Sequence, residues 1–303
     1  MNAVWGKVLR RLGVALLSLS VFILGISGYV GWNLTHPPKK ALQTTPAAVG
    51  LPYEPVSFVS REDGLVLQGW LLRSPENRLT VICSHGYRQN REQADVPLLP
   101  LAKVLVEHGM NVLLFDYRNS GESAGEMTSV GQYEVRDLLG AVDYVHSRQE
   151  LNPKVALLGF SMGAATAILA GAAEPTVAAV VADAPFADLT RYLEANFSVW
   201  TGLPAVPFNR TILAVTPILT GLQPEKVSPV QVVGMFAGRP LLLIHGEADD
   251  DIAPENSREL QQAYPAAELL LVASARHVKS YQQESVRYEA ALLNFLQKVE
   301  LAH

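Results

Sequence analysis

The chain has one cysteine, Cys83. An intrachain disulfide is therefore impossible, and burial and hydrogen bonding must hold the fold. Cys83 sits in the apolar run Val81–Ile82–Cys83 and reads as a buried strand residue rather than a reactive thiol. Acid is missing from residues 1–53, which hold five bases: Lys7, Arg10, Arg11, Lys39 and Lys40. The other 250 residues carry the remaining 19 bases and all 29 acids, a balance of −10. That leaves no concentrated positive charge for phosphate and argues against nucleic acid as a partner. There is no Cys/His cluster and no G-x-x-x-x-G-K-[ST] loop, so no metal and no organic cofactor is implied. Internal repeats are also absent.

Charge is absent again from residues 12–34, LGVALLSLSVFILGISGYVGWNL. About 20 apolar residues at 1.5 Å each span a hydrocarbon core of about 30 Å. Trp5, Tyr29 and Trp32 lie near the ends, where amphipathic rings favour the interface. Lys7, Arg10 and Arg11 precede the segment and favour a cytoplasmic N-terminus of residues 1–11. The reading is an uncleaved single-pass anchor in the cell membrane. A cleaved signal peptide competes, but Gly25–Ile26–Ser27–Gly28 matches a small-residue cleavage site poorly. Either way the remainder is expected outside the cytoplasmic membrane. Residues 35–53 hold four prolines and read as a linker.

From residue 54 to 303 the pattern is that of one α/β domain. Residues 55–60 and 65–73 flank Glu62–Asp63–Gly64, a hairpin signal. Short apolar runs follow at 79–83, 111–115, 155–158, 177–182, 240–244 and 268–272. Such runs suit strands covered on both faces of a parallel sheet. Helical patterns lie between or after them at 96–109, 132–147, 163–173, 256–263 and 284–299. The alternation predicts a mostly parallel, doubly wound α/β sheet. One interval breaks the rhythm: about 186–238, with Phe197, Trp200, Phe208 and several prolines, reads as a small cap insertion.

The chemistry starts at Gly159–Phe160–Ser161–Met162–Gly163. G-x-S-x-G alone is a common pattern. Here it follows a strand and opens a helix, the setting a strained nucleophile turn needs. Glycines on either side avoid collision, and the helix N-terminus aims N–H groups at a developing oxyanion. Ser84–His85–Gly86–Tyr87 follows an earlier strand, and the Tyr87 and Met162 amides are the expected oxyanion-hole donors. His85 lies upstream of the serine and reads as a turn-stabilising residue. The acid should follow a later strand, where Asp249, Asp250 and Asp251 stand together. Asp249 is the expected one, holding the imidazole's tautomer. His277 is the expected base, since the tail residue His303 has no anchoring structure.

These segments resemble the α/β-hydrolase superfamily, in the short-cap subgroup that includes Bem46-like and serine aminopeptidase-like proteins. The resemblance rests on HGYRQNR, FDYRNSGES, GFSMG, ADAPF, IHGEADDDIAP and ARHVKSY, in that order. It implies the fold and a catalytic Ser161, Asp249 and His277. In the family pattern a proline follows the acid's D-x-x-[VI]. Here Ala253 takes that place and the proline moves to Pro254, so Asp250 or Asp251 in place of Asp249 stays open. Asp116, Arg118 and Gly121 match a stretch tied to loop structure. The implied activity is a serine hydrolase cleaving an ester or related acyl bond of a small-molecule substrate. A serine peptidase on short peptides and a membrane-tethered binding protein without activity are the alternatives.

Overall fold

The computed structural model describes residues 2–301. Helix α1 (Asn2–Thr35) stands apart at the N-terminus. At 1.5 Å per residue it is about 50 Å long. Most of its apolar side chains, from Val4 to Trp32, face outward. One side of its last third is covered. There Ser27, Gly31 and Thr35 are buried.

An eight-stranded sheet forms the centre, in the order β1 (Glu54–Val59), β2 (Val66–Leu72), β4 (Asn111–Phe115), β3 (Thr80–Ser84), β5 (Val155–Phe160), β6 (Val177–Asp183), β7 (Leu241–Gly246), β8 (Glu268–Val272). β1–β2 and β2–β4 pair antiparallel, and every later pairing is parallel. The sequence explains the layout. β3, β4, β5 and β7 are buried at every position, as their unbroken apolar runs require. β1 buries only Val56 and Phe58 and exposes the alternate residues, as an edge strand does. Cys83 is buried on β3, where desolvation pushes its thiol upward and keeps it protonated.

Helices cover both faces. α2 (Leu98–Glu107) and α11 (Ser285–Leu301) pack on one core layer, through Leu101, Leu105, Leu292 and Phe295. α3 (Glu134–Ser147), α4 (Met162–Ala173) and α9 (Glu255–Ala263) pack on the other, through Leu138, Val142, Ile168 and Leu260. The interval after β6 folds as α5 (Leu189–Ala195), α6 (Phe197–Thr201), α7 (Ala205–Thr220) and α8 (Pro229–Val232). A short α10 (Ser280–Gln283) precedes the last helix.

The segment 35–53, expected as a linker, is bound along the domain surface. Thr128 N–H donates to Thr35 O at 2.8 Å, and Asn119 Nδ2 to Pro37 O at 3.1 Å. Glu92 Oε1 accepts from the Gln43 and Thr44 amides at 2.5 and 2.7 Å. Of the thirteen strands and helices expected from residue 54 onward, 111–115 and 268–272 have the expected bounds, and the other eleven differ by one or two residues at their ends, as capping and fraying dictate. The helix expected over 96–109, for example, spans Leu98–Glu107.

Candidate active site

Ser161 sits between β5 and α4 with φ 54° and ψ −119°. That backbone is strained for a residue with a Cβ, and the two glycines permit it. A Cβ on Gly159 would lie 2.2 Å from Gly163 O, and one on Gly163 would lie 2.3 Å from Ser84 O. The turn is pinned from below, where Ser161 N–H donates to Asp183 O at 2.8 Å. The serine side chain therefore stands clear of the sheet, in a partly exposed pocket with His277, Tyr192, Trp200 and Tyr87.

Two loops at the same sheet end deliver the other groups. Ala248 N–H donates to Ala275 O at 2.9 Å, and Glu247 N–H to Val272 O at 2.9 Å. A Cβ on Gly246 would meet Ala275 O at 2.2 Å, so only glycine lets the loops touch. His277 Nε2 lies 2.9 Å from Ser161 Oγ, and its Nδ1 lies 2.7 Å from Asp249 Oδ2. Asp249 Oδ1 accepts from the amides of Ile252 at 2.8 Å and Asp251 at 3.0 Å. Asp250 points to solvent, its side chain 84% exposed. Asp251 lines the same pocket, and Asp249 is the carboxylate hydrogen-bonded to the ring's Nδ1. His303 lies outside the described residues.

The electrostatics follow from these contacts. Burial alone would raise the Asp249 carboxyl, but hydrogen bonds from His245 and His277 outweigh it and hold the carboxyl well below the usual range. Burial alone would lower His277, but the hydrogen bond and charge of Asp249 reverse this and raise it. The pair thus favours a carboxylate beside an imidazole ready to take a proton.

His85 is buried away from the serine. Its Nε2 accepts from Tyr117 N–H at 3.0 Å, and its Nδ1 lies 2.8 Å from Gly86 O. Burial pushes it down to about 4, so it is a neutral brace for the turn. Gly86 N–H is taken by Gln93 Oε1 at 2.6 Å. A Cβ on Gly86 would sit 3.4 Å from Ser161 Cβ, so the loop carrying Tyr87 abuts the serine. Asp116 accepts from the Arg91 and Glu122 amides at 2.7 and 2.9 Å, and a Cβ on Gly121 would strike its carboxylate. Arg118 grips Asp137 through Nε at 2.9 Å and Nη2 at 2.7 Å. All three hold loops together.

Sequence reasoning missed three residues. Gln93 occupies the Gly86 amide. His245, buried on β7, places Nε2 3.3 Å from Asp249 Oδ2 and 2.8 Å from Ile252 O. Asp183, under the serine, is pushed up to about 7, chiefly by burial. The one available signal was His245 and Asp183, polar residues inside otherwise apolar strand runs. Asp249, Asp251 and His277 also lie close enough to share a cation, but Asp249 and His277 already satisfy one another.

A sheet of this order, with a serine at the sharp turn after β5, defines an α/β-hydrolase, a hydrolytic enzyme. Residues 75–229 match the family model described as serine aminopeptidase, S33, and the chain belongs to that family. It is 28% identical over 236 residues to the uncharacterized protein YqkD of Bacillus subtilis, covering 77% of this chain and 76% of that one. A thiohydrolase, aneE, of Aspergillus aculeatus is 30% identical over 141 residues, 46% of this chain and 43% of its own. Among solved structures, an esterase of Pyrococcus furiosus superposes with TM-score 0.74 at 27% identity, covering 88% of this chain and 98% of that one.

Proposed function

We propose that the chain is a membrane-anchored serine hydrolase that cleaves an ester or related acyl bond through Ser161, His277 and Asp249. The unbroken line of hydrogen bonds from Ser161 Oγ through His277 to Asp249 carries this reading. In it, Ser161 Oγ attacks the carbonyl carbon and passes its proton to His277 Nε2. The Tyr87 and Met162 amides hold the oxyanion, with Met162 the first residue of α4. His277 then gives the proton to the departing alcohol or thiol, leaving an acyl-enzyme. Water adds to it with His277 as base, releasing the acid and restoring the serine. The similarity to an esterase and to a thiohydrolase supports an oxygen or sulfur ester over a peptide. The long apolar α1 supports anchoring, with residues 1–11 in the cytoplasm and the domain on the far side.

The test is labelling by a fluorophosphonate probe. The wild type should label and Ser161→Ala should not. Folded wild type that resists the probe would overturn the reading and favour a binding protein. Full protection of the domain from protease added to intact cells would overturn the orientation.

A further inference from the structure

The contact between α1 and the cap fixes how high the domain sits above a membrane. α1 meets α7 at Ser27, Gly28 and Gly31. Ser27 Oγ is 2.7 Å from Thr211 Oγ1. A Cβ on Gly28 would lie 3.4 Å from Leu219, and one on Gly31 would lie 2.1 Å from Thr216 Oγ1. Small residues thus bring the helices close and a hydroxyl pair ties them, as in helix pairs inside membranes. Arg11 is the last charge before the apolar segment, and Ser27 stands 16 residues further on. At 1.5 Å per residue that is about 24 Å, less than a hydrocarbon core of about 30 Å. With Arg11 at the near boundary, contact with α7 therefore begins inside the far leaflet. Tilting α1 sinks Ser27 deeper. Lifting α7 clear of the lipid would draw Arg11, Arg10 and Lys7 into the core, where cations are costly.

The sequence of α7 suits that depth. Of its 16 residues only Arg210 is charged. Arg210, Ala214 and Ile218 are exposed at steps of four and share the outward face. Ile218 is 83% exposed, Leu219 beside it is half-exposed, and Val206 at the start of the helix is 84% exposed. In water this apolar strip has no partner. In a leaflet it continues the outward apolar surface that α1 presents from Val4 to Trp32. Arg210 has a long apolar stem that lets its charge reach the lipid phosphates.

Given the anchor reading above, we infer that the outward face of α7 is a membrane-docking surface, seated in the phospholipid leaflet beside α1. The cap is then held by lipid on one side and by the domain on the other. Tyr87 donates its hydroxyl to Leu34 O at 2.5 Å. Leu34 stands about 10 Å beyond Ser27 along α1. Tyr87 also lines the pocket that holds Ser161 and His277. A docked cap therefore sets that pocket at the membrane boundary rather than in bulk water.

The experiment uses the full chain in phosphatidylcholine vesicles. Cys83 is buried, so a nitrobenzoxadiazole dye attaches at one introduced cysteine. Three sites are compared: Ile218→Cys on α7, Leu19→Cys in the middle of α1, and Glu76→Cys, exposed before β3 at the sheet end opposite Ser161. Doxyl-labelled phosphatidylcholine should quench the dye at Leu19→Cys and Ile218→Cys and leave Glu76→Cys bright. Iodide, present on both sides of the bilayer, should quench Glu76→Cys alone. If Ile218→Cys does not fold, Ala214→Cys takes its place on the same face. Iodide quenching of Ile218→Cys, with Leu19→Cys still quenched by doxyl lipid, overturns the docked cap and leaves the anchor standing. Shielding of Ile218→Cys from both quenchers also overturns it, and means that a second copy of the chain covers the face. Iodide quenching of Leu19→Cys overturns the anchor reading itself.

Discussion

Replacing Asp249 by Asn tests the arrangement most sharply, because it changes one atom and leaves the loop in place. Asp249 Oδ1 accepts from Ile252 and Asp251 N–H, and an Asn carbonyl in that position keeps both bonds. The Oδ2 position, 2.7 Å from His277 Nδ1, would become an NH2 group. It would donate to Nδ1 and force the ring proton onto Nε2, which faces Ser161 Oγ at 2.9 Å. His277 could then no longer accept the serine proton. A wrong tautomer in such a triad costs about 10⁴ in kcat, or about 5.5 kcal/mol of barrier. The assay is p-nitrophenyl ester hydrolysis alongside the rate of fluorophosphonate labelling. In wild type the activity should rise with pH through a midpoint above the ordinary histidine value of about 6.5, because the raised imidazole must be neutral to act. The variant also loses a depressed carboxyl. That group adds stability above the unfolded value of about 4 and loses it as pH falls, so the variant should show a flatter acid limb. A folded variant retaining kcat/KM within tenfold of wild type would refute the assigned role.

The remaining expectations concern the frame. Gly163→Ala would place a Cβ 2.3 Å from Ser84 O, and denaturant unfolding should show a loss of about 2–3 kcal/mol. Arg118→Met would strip the fully buried Asp137 carboxylate of its bidentate partner, and should cost about 3–5 kcal/mol in the same measurement. His85 is pushed down to about 4 by burial, so its contribution to stability is complete above about 6.5 and is lost as pH falls toward 4. Its ring resonances should titrate near 4; titration near 6.5 would mean that it is exposed.

Much of this protein was legible in the chain. The unbroken apolar runs of β3, β4, β5 and β7 demand cover on both faces, which gives the doubly wound sheet directly. The flanking glycines of Ser161 state a steric need that no other residue meets, since both Cβ positions are occupied by backbone. Other facts had no local signature. Asp249, Asp250 and Asp251 are alike in composition and neighbourhood. Only the approach of the two loops at Gly246 and Ala275 decides which one faces His277. His245 is one more histidine in a strand run until the fold sets it against Asp249. The meeting of α1 with α7 is the extreme case, because Ser27 and Thr211, whose hydroxyls are 2.7 Å apart, are separated by 184 residues in the chain. Hydropathy and turn chemistry act between neighbours and are written in order along the chain. Which distant surfaces meet depends on how whole elements close against each other, and that is settled only when the fold is complete.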